Sequence, residues 1–168
     1  MKKTLFLLVT FIFVFFSGCA VQETIIIEED IGNHTFLWSE TDNRLADMWY
    51  KEPKHKGTTT YAAYMDSKRL QEGREDEAVS VAVFIFNESE NMTAINNEFY
   101  DRVHYEQDFP PEEIEYLNST IYKLGSDEIT IYVWMSNNRS IATFSGKDLK
   151  GLKRITEVYL EKYPSSLK

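Results

Sequence analysis

A nearly continuous apolar run in the middle of the chain, Ala78–Phe86 with Ser80 as its one polar residue, restricts the fold more than any other segment. Alternate side chains of a strand point to opposite faces, so three valines and an isoleucine fall on one face and Ala82, Phe84 and Phe86 fall on the other. A strand that is apolar on both faces belongs in the interior of a sheet whose two faces are covered. The run therefore predicts a central strand with structure packed on each side.

Two amphipathic segments provide candidates for that cover. The first helix is predicted to follow a turn at Asn87-Glu88-Ser89 and to reach about Tyr105. Apolar residues recur there every three or four positions: Met92, Ile95, Phe99 and Val103. The second helix follows Gly146 and ends before Pro164. Its predicted buried stripe is Leu149, Leu152, Ile155, Tyr159 and Tyr163. Ser145 and Asp148 have the spacing of a capping box at its start.

Several further segments read as strands separated by short polar turns. They are Thr58–Met65, Ile114–Leu124, Glu128–Met135 and Ser140–Phe144, with Thr24–Glu28 as a leading strand. Residues 33–56 show a helix-like spacing that includes Leu37 and Trp38, with Asp42 as its cap. Strands joined by short turns pair antiparallel. We therefore predict an α+β fold, a mainly antiparallel sheet with two amphipathic helices packed on it, in one domain over residues 24–168.

The first nineteen residues have the layout of an export signal. Lys2 and Lys3 precede an apolar run of about a dozen residues, which is shorter than the roughly 20 residues that span a bilayer as a helix. The run ends in Phe16-Ser17-Gly18-Cys19, and an ordinary cleaved signal or an uncleaved anchor would share the earlier features. Either way, the signal predicts that the rest of the chain works outside the cytoplasm.

The end of that segment resembles the lipobox of prokaryotic lipoproteins, although Phe16 stands where leucine is usual. The resemblance implies that residues 1–18 are a signal peptide and that Cys19 carries a diacylglyceryl group, with residues 19–23 as a tether. Cys19 is the only cysteine in the chain, so no disulfide can form within one copy. The alternative is a buried structural cysteine. The predicted location is the outer face of the cell membrane, through the lipid anchor alone.

The charge of the chain limits its partners. The full sequence has 18 basic and 27 acidic residues, and loss of Lys2 and Lys3 with the signal changes the net charge from −9 to −11. A negative surface disfavours nucleic acid, which binds proteins through lysine and arginine contacts to phosphate. It also disfavours electrostatic adhesion to anionic lipid. We therefore predict no nucleic-acid partner.

Five of the nine asparagines lie in Asn-x-Ser/Thr sequences, where chance predicts about one or two. These candidate N-glycosylation sites are Asn33, Asn87, Asn91, Asn118 and Asn138. Each is an acceptor only in a cell that has the enzyme and only where the side chain is exposed. Polar turns without modification are the alternative interpretation.

No motif in the sequence predicts a catalytic or metal site. The histidines His34, His55 and His104 are far apart and are interpreted as surface residues. The acidic groups at 72–77 and 108–115 are interpreted as solvated charge, because they lack the calcium-loop pattern. The aromatic residues on predicted strands are Tyr61, Tyr64, Tyr132 and Trp134, for which core packing is favoured over a ligand groove. No cofactor or metal is predicted.

The sequence therefore favours a binding or interaction module held at the membrane, with an unknown protein or small ligand as its partner. An extracytoplasmic enzyme whose site forms only on folding is one alternative. An accessory subunit of a membrane complex is another.

Overall fold

The computed structural model describes residues 25–42, 57–74, 77–87, 90–105, 111–126 and 128–167. Seven strands form one sheet: β1 (His34–Asp42), β2 (Gly57–Asp66), β3 (Val79–Phe86), β4 (Glu112–Tyr116), β5 (Ser119–Gly125), β6 (Thr130–Ser136) and β7 (Arg139–Ser145). The helices are α1 (Ser67–Gln71), α2 (Met92–Tyr105) and α3 (Leu149–Lys162).

The strands lie in the order β1-β2-β3-β7-β6-β5-β4, and every neighbouring pair is antiparallel. The prediction of an α+β fold with a mainly antiparallel sheet is therefore confirmed. The apolar run predicted as a central strand is β3, which pairs with β2 on one side and β7 on the other. The register aligns Val83 with Thr60 and with Ile141.

The buried side chains form two clusters, and alternate residues of β3 divide between them as the strand period requires. One cluster contains Val79, Val81 and Val83 with α3 residues Leu152, Ile155 and Tyr159. The other contains Phe84 and Phe86 with α2 residues Ile95, Phe99 and Val103. One prediction about α3 was wrong, since Leu149 is 51% exposed. It is the first residue of the helix, ahead of the turn that meets the sheet.

Residues 25–31 precede the sheet without forming the predicted leading strand, so that prediction was wrong. The backbone groups of Ile25 and Ile27 bond to tyrosine hydroxyls instead of to another strand. Tyr64 donates to the carbonyl of Ile27 at 2.6 Å, and the amide of Ile27 donates to Tyr159 at 3.2 Å. The two hydroxyls lie 2.7 Å apart, and Tyr163 donates to the carbonyl of Ile25 at 2.7 Å.

Two hydroxyls of this network, those of Tyr64 and Tyr159, stay protonated across the physiological pH range. Burial raises the pKa of Tyr159 to about 12, against the hydrogen bonds that it receives. Burial and the neighbouring Tyr159 raise the pKa of Tyr64 as well. These hydroxyls therefore keep donating, and the N-terminal segment stays attached to the interface between α3 and the sheet.

Two other segments differ from the prediction. Leu37 and Trp38 lie in the edge strand β1 rather than in a helix, while the rest of the predicted helix, 43–56, lies outside the described residues. The predicted strand Ile114–Leu124 is two strands, because Leu117 (φ 50°) and Asn118 (φ 59°) form a tight turn of the kind that joins hairpins. Asn tolerates this left-handed conformation better than most residues.

The short helix α1 was not predicted, and it begins because Asp66 caps it. The side chain of Asp66 accepts from the amides of Lys68 and Arg69 at 3.0 and 3.2 Å. At α3, Asp148 is the capping residue itself and accepts from the amide of Gly151 at 2.9 Å. The predicted capping box was therefore shifted: Ser145 accepts from the amide of Asp148 at 3.1 Å but does not cap the helix.

Candidate functional site

A cleft of about 600 Å³ opens at the end of the sheet where β1 begins and β2 and β7 end. That volume lies within the range of small-ligand pockets. Four segments form its walls: the turn before β1, the end of β2 with α1, the loop after α1, and the first turns of α3. The lining residues are Gly32, Asn33, His34, Asp66, Lys68, Arg69, Glu72, Arg74, Asp148, Lys150, Gly151 and Arg154.

A buried histidine–aspartate pair lies at the base of this cleft. His34 begins β1 and Asp148 caps α3, and the Nε2 of His34 lies 2.8 Å from the Oδ2 of Asp148. Both residues are buried, with 8% and 5% of their surface exposed. The interpretation of His34 as a surface histidine was therefore wrong, because the start of β1, which carries His34, packs against the start of α3.

Gly151 makes this close approach possible. A side chain at position 151 would run into the imidazole of His34 and the carboxylate of Asp148. Glycine leaves that space open on the first turn of α3 and keeps its amide available to Asp148. The pair and the helix start therefore depend on one another.

The carboxylate of Asp148 is held in its charged form. Burial by itself would raise its pKa, but the hydrogen bonds from His34 and from the Gly151 amide, with the charges of His34 and Arg69, lower the pKa below its usual value. A lowered pKa means that the folded state favours the carboxylate. This contribution to stability is present above the ordinary value of 3.8 and is lost as the pH falls through the folded value.

We therefore expect Asp148→Asn to reduce the free energy of unfolding by about 1–2 kcal/mol at pH 6, because the charged hydrogen bond is lost while the amide still caps the helix. The difference from the wild type should shrink as the pH falls below 3.8. Urea unfolding between pH 6 and pH 3 measures it. Asp101→Asn, on the exposed surface of α2, is the control and should show no such trend. A constant difference at every pH would contradict the assignment.

A second ion-pair group stands beside the first. Glu77 is 3% exposed and forms ion pairs with both Arg69 and Arg74 through its two carboxylate oxygens. Arg74 also lies 3.6 Å from Glu72. The interpretation of this acidic stretch as solvated charge was therefore wrong for Glu77, while Glu75 and Asp76 lie outside the described residues.

Cations outnumber carboxylates on the cleft walls. Five cationic side chains line it, against the three carboxylates of Asp66, Glu72 and Asp148. Arg154 lies 3.3 Å from Glu157, whereas the exposed side chains of Lys68 and Lys150 form no ion pair with any described residue. Once Glu77 and Glu157 are counted, the carboxylates equal the cations, and the cleft is distinguished by two lysines that have no ion pair among the described residues.

The remaining sequence candidates lie away from this cleft. His104 stacks on Tyr100 and its Nδ1 lies 2.9 Å from that residue's carbonyl oxygen, while His55 lies outside the described residues. Of the second acidic group, Glu112 pairs with Lys123 at 2.7 Å and Glu115 accepts from Thr120 at 3.0 Å. Within the described ranges, no group of three or more potential metal ligands occurs.

The aromatic residues considered for a ligand groove serve the core. Tyr64, Tyr132 and Trp134 are buried, and Tyr61 is half-buried. The indole of Trp134 donates to the carbonyl of Tyr163 at 2.9 Å, which ties β6 to the end of α3. Core packing, the favoured interpretation, accounts for Tyr64, Tyr132 and Trp134.

The candidate glycosylation sites divide between the two ends of the sheet. Asn33 lies on the cleft wall, whereas Asn87 follows β3, Asn118 joins β4 to β5 and Asn138 joins β6 to β7, all at the opposite end. Asn91 caps α2 with its side-chain oxygen. All are exposed except Asn138, which is half-buried and donates to the carbonyl of Phe86 at 3.2 Å.

Cys19 and the predicted signal lie outside the described residues. In the part of the chain that the structure covers, no helix is long and apolar enough to cross a membrane. No protein-family model, no curated protein and no solved structure matches the chain. The assignment of the candidate site therefore rests on the geometry of the cleft.

Proposed function

We propose that the protein is a lipid-anchored surface lipoprotein whose folded domain is a binding module, with its ligand held in the cleft between β1, α1 and α3. The observation that carries the proposal is the convergence of charged groups from four segments on one concavity of about 600 Å³. Pockets of this size with a few oriented polar groups are the usual sites of small-ligand binding.

The fold supplies a rigid support for such a cleft. We infer that α2 and α3 cover opposite faces of the sheet, which is supported by the two clusters that divide the side chains of β3. The cleft lies at the sheet end where α3 begins. Strand ends and helix starts hold side chains more firmly than long loops do.

The anchor part of the proposal comes from the N-terminal sequence. Cys19 would carry the lipid, and Ile25 is already bonded to Tyr163 in the folded domain. The six steps of chain between them span at most about 20 Å when extended. The proposed anchor therefore holds the binding domain within about 20 Å of the membrane surface.

The anchor is tested by the intact mass of protein extracted from membranes. We expect added lipid mass on the wild type, and an unlipidated but exported protein for Cys19→Ala. The same spectrum reports any N-linked glycan. Modification is expected first at exposed Asn87, Asn91 and Asn118, and last at Asn138, whose side chain is already bonded. A mature protein without lipid on Cys19 would disprove the anchor.

The cleft is tested by a screen of anionic, neutral and cationic small molecules for thermal stabilisation of the full-length protein in nonionic detergent, since a ligand of the folded state raises its melting temperature. Asn33→Trp should abolish the response by filling the cleft, because no described residue bonds the side chain of Asn33. Asn96→Trp, on the exposed surface of α2, is the matched control. Hits that survive Asn33→Trp would place binding elsewhere.

An enzymatic role is the second candidate, since a buried histidine–aspartate pair is an arrangement that orients a general base. The side chain of His34 hydrogen-bonds only to Asp148 among the described residues, so no serine, threonine or cysteine contacts it as a nucleophile. Binding is therefore the favoured function. Turnover of ester, peptide, phosphate or glycoside substrates that is lost in His34→Gln would favour the enzyme.

A further inference from the structure

We propose that the ligand of this cleft is a small anion with at least two negative charges, held by Lys68 on α1, by Lys150 on α3 and by the arginines that line the same cleft. This inference rests on the proposed function, because it assumes that the cleft is a binding site. It adds the chemical class of the ligand, which the argument from shape alone leaves open.

The first support is the way the carboxylates of the cleft are already used. Asp66 caps α1 and Asp148 caps α3 while pairing with His34. Their carboxylates therefore accept from helix amides and, for Asp148, lie beside an imidazole. Glu77 and Glu157 pair with the three arginines, so Lys68 and Lys150 are the cleft cations without an ion pair among the described residues.

The second support is that the arginines are already positioned. Glu77, buried behind them, contacts the Nη1 of Arg69 and the Nη2 of Arg74. A guanidinium has five N–H donors, so the contact of Arg69 with Glu77 and those of Arg74 with Glu77 and Glu72 leave further donors for a ligand. Side chains that are held before binding lose less conformational entropy when a ligand arrives. Both groups therefore suit recognition of a carboxylate or phosphate.

The third support is the pair of lysines without an ion-pair partner. Lys68 lies on α1 and Lys150 on the first turn of α3, and both side chains are exposed at the cleft. Two cations on separate elements match a ligand whose charges are also separated. The N-terminal turn of α3 adds its partial positive charge on the same side.

The surrounding charge limits the size of this anion. The whole chain has nine more acidic than basic residues, so a large polyanion such as nucleic acid would be repelled by the surface outside the cleft. A small anion that fits within about 600 Å³ can contact Lys68 and Lys150 without meeting that surface. The cleft therefore selects both for negative charge and for small size.

The test is isothermal titration calorimetry of the full-length protein in nonionic detergent, with citrate and pyrophosphate as probes. Glycerol and acetate are the neutral and singly charged comparisons. We expect binding of a multiply charged probe that weakens from low to physiological salt. Citrate and pyrophosphate separate a carboxylate preference from a phosphate preference.

Variants locate the binding. Lys68→Gln and Lys150→Gln should each raise the dissociation constant by about fivefold, as expected for loss of about 1 kcal/mol of charge interaction. Lys153→Gln is the matched control. It removes one positive charge from an exposed position of α3, the helix that carries Lys150, but Lys153 does not line the cleft. Its dissociation constant should match that of the wild type.

The outcomes separate this inference from the function on which it rests. Neutral or cationic molecules that bind, and are lost in Asn33→Trp, would leave the binding function standing and overturn the anionic ligand. Anion binding that is unchanged in both lysine variants would place the anion elsewhere and overturn the inference. If no molecule of any charge responds to Asn33→Trp, both proposals fail.

Discussion

Val83→Asp is expected to unfold the protein or to lower its free energy of unfolding by at least about 4 kcal/mol. Val83 has no exposed surface, lies on the interior strand β3, and belongs to the cluster that includes α3. A carboxylate there would lose its hydration and find no cationic partner among the apolar residues of that cluster. Urea unfolding of the chain from Ala20 onward, followed by circular dichroism, measures the change.

Ile129→Asp is the matched control for that substitution. It places the same charge at a branched apolar residue that is 37% exposed and lies just before β6. Its effect should stay within about 1 kcal/mol, because the new carboxylate remains in water. Equal unfolding midpoints for Val83→Asp and wild type would disprove the interior position of β3.

Trp134→Ala is expected to lower the free energy of unfolding by about 3–5 kcal/mol, as for other fully buried aromatic side chains. Trp134 has no exposed surface, and it combines a large apolar volume with the hydrogen bond to the Tyr163 carbonyl. Its loss would leave a cavity between β6 and α3 and would remove the donor to the Tyr163 carbonyl. Thermal and urea unfolding of the same chain give the magnitude.

Two further variants separate the parts of this effect. Trp134→Phe keeps most of the volume and removes the hydrogen bond, so it should cost about 1–2 kcal/mol. Trp38→Ala removes the same side chain from β1, where 49% of it is exposed, and should cost less than about 1 kcal/mol. Similar losses at positions 38 and 134 would show that burial does not control the effect.

The candidate glycosylation sites differ in their distance from the cleft. The cleft lies at one end of the sheet with Asn33 on its wall, while Asn87, Asn118 and Asn138 lie at the other end. Any glycans on the second group would leave the cleft open. A glycan on Asn33 would stand directly at the cleft and compete with a ligand for space.

Several elements follow from local pattern alone because their energetics are local. The alternation in β3 and the three- and four-residue spacing in α2 and α3 record which faces are buried, and the structure confirms these elements. Segments with two competing local interpretations were predicted wrongly. Residues 114–124 read as one strand because an apolar Leu117 hides the turn, and the isoleucines at 25–27 have strand propensity but bond to tyrosines.

None of the parts of the cleft was predicted, since its residues are far apart in sequence. His34 and Asp148 are 114 positions apart, and neither residue lies in a catalytic or metal-binding motif. Glu77 belonged to a run of charges that suggested solvent exposure, yet it is buried between two arginines. The spacing of Ser145 and Asp148 was the one local signal, and it predicted a capping box rather than a histidine partner.

Periodicity was enough for the interior strand and the two long helices, because each depends on residues close together in the chain. The export signal and the lipid on Cys19 stay predictions from local sequence. The edge strand, the helix α1 and the cleft depend on strand order and register, which bring the start of β1 beside the end of β2 and the start of α3. Net charge is a property of the whole sequence and indicates an acidic protein. Folding decides which of those charges pair, and it places Lys68 and Lys150 on one cleft without an ion pair among the described residues.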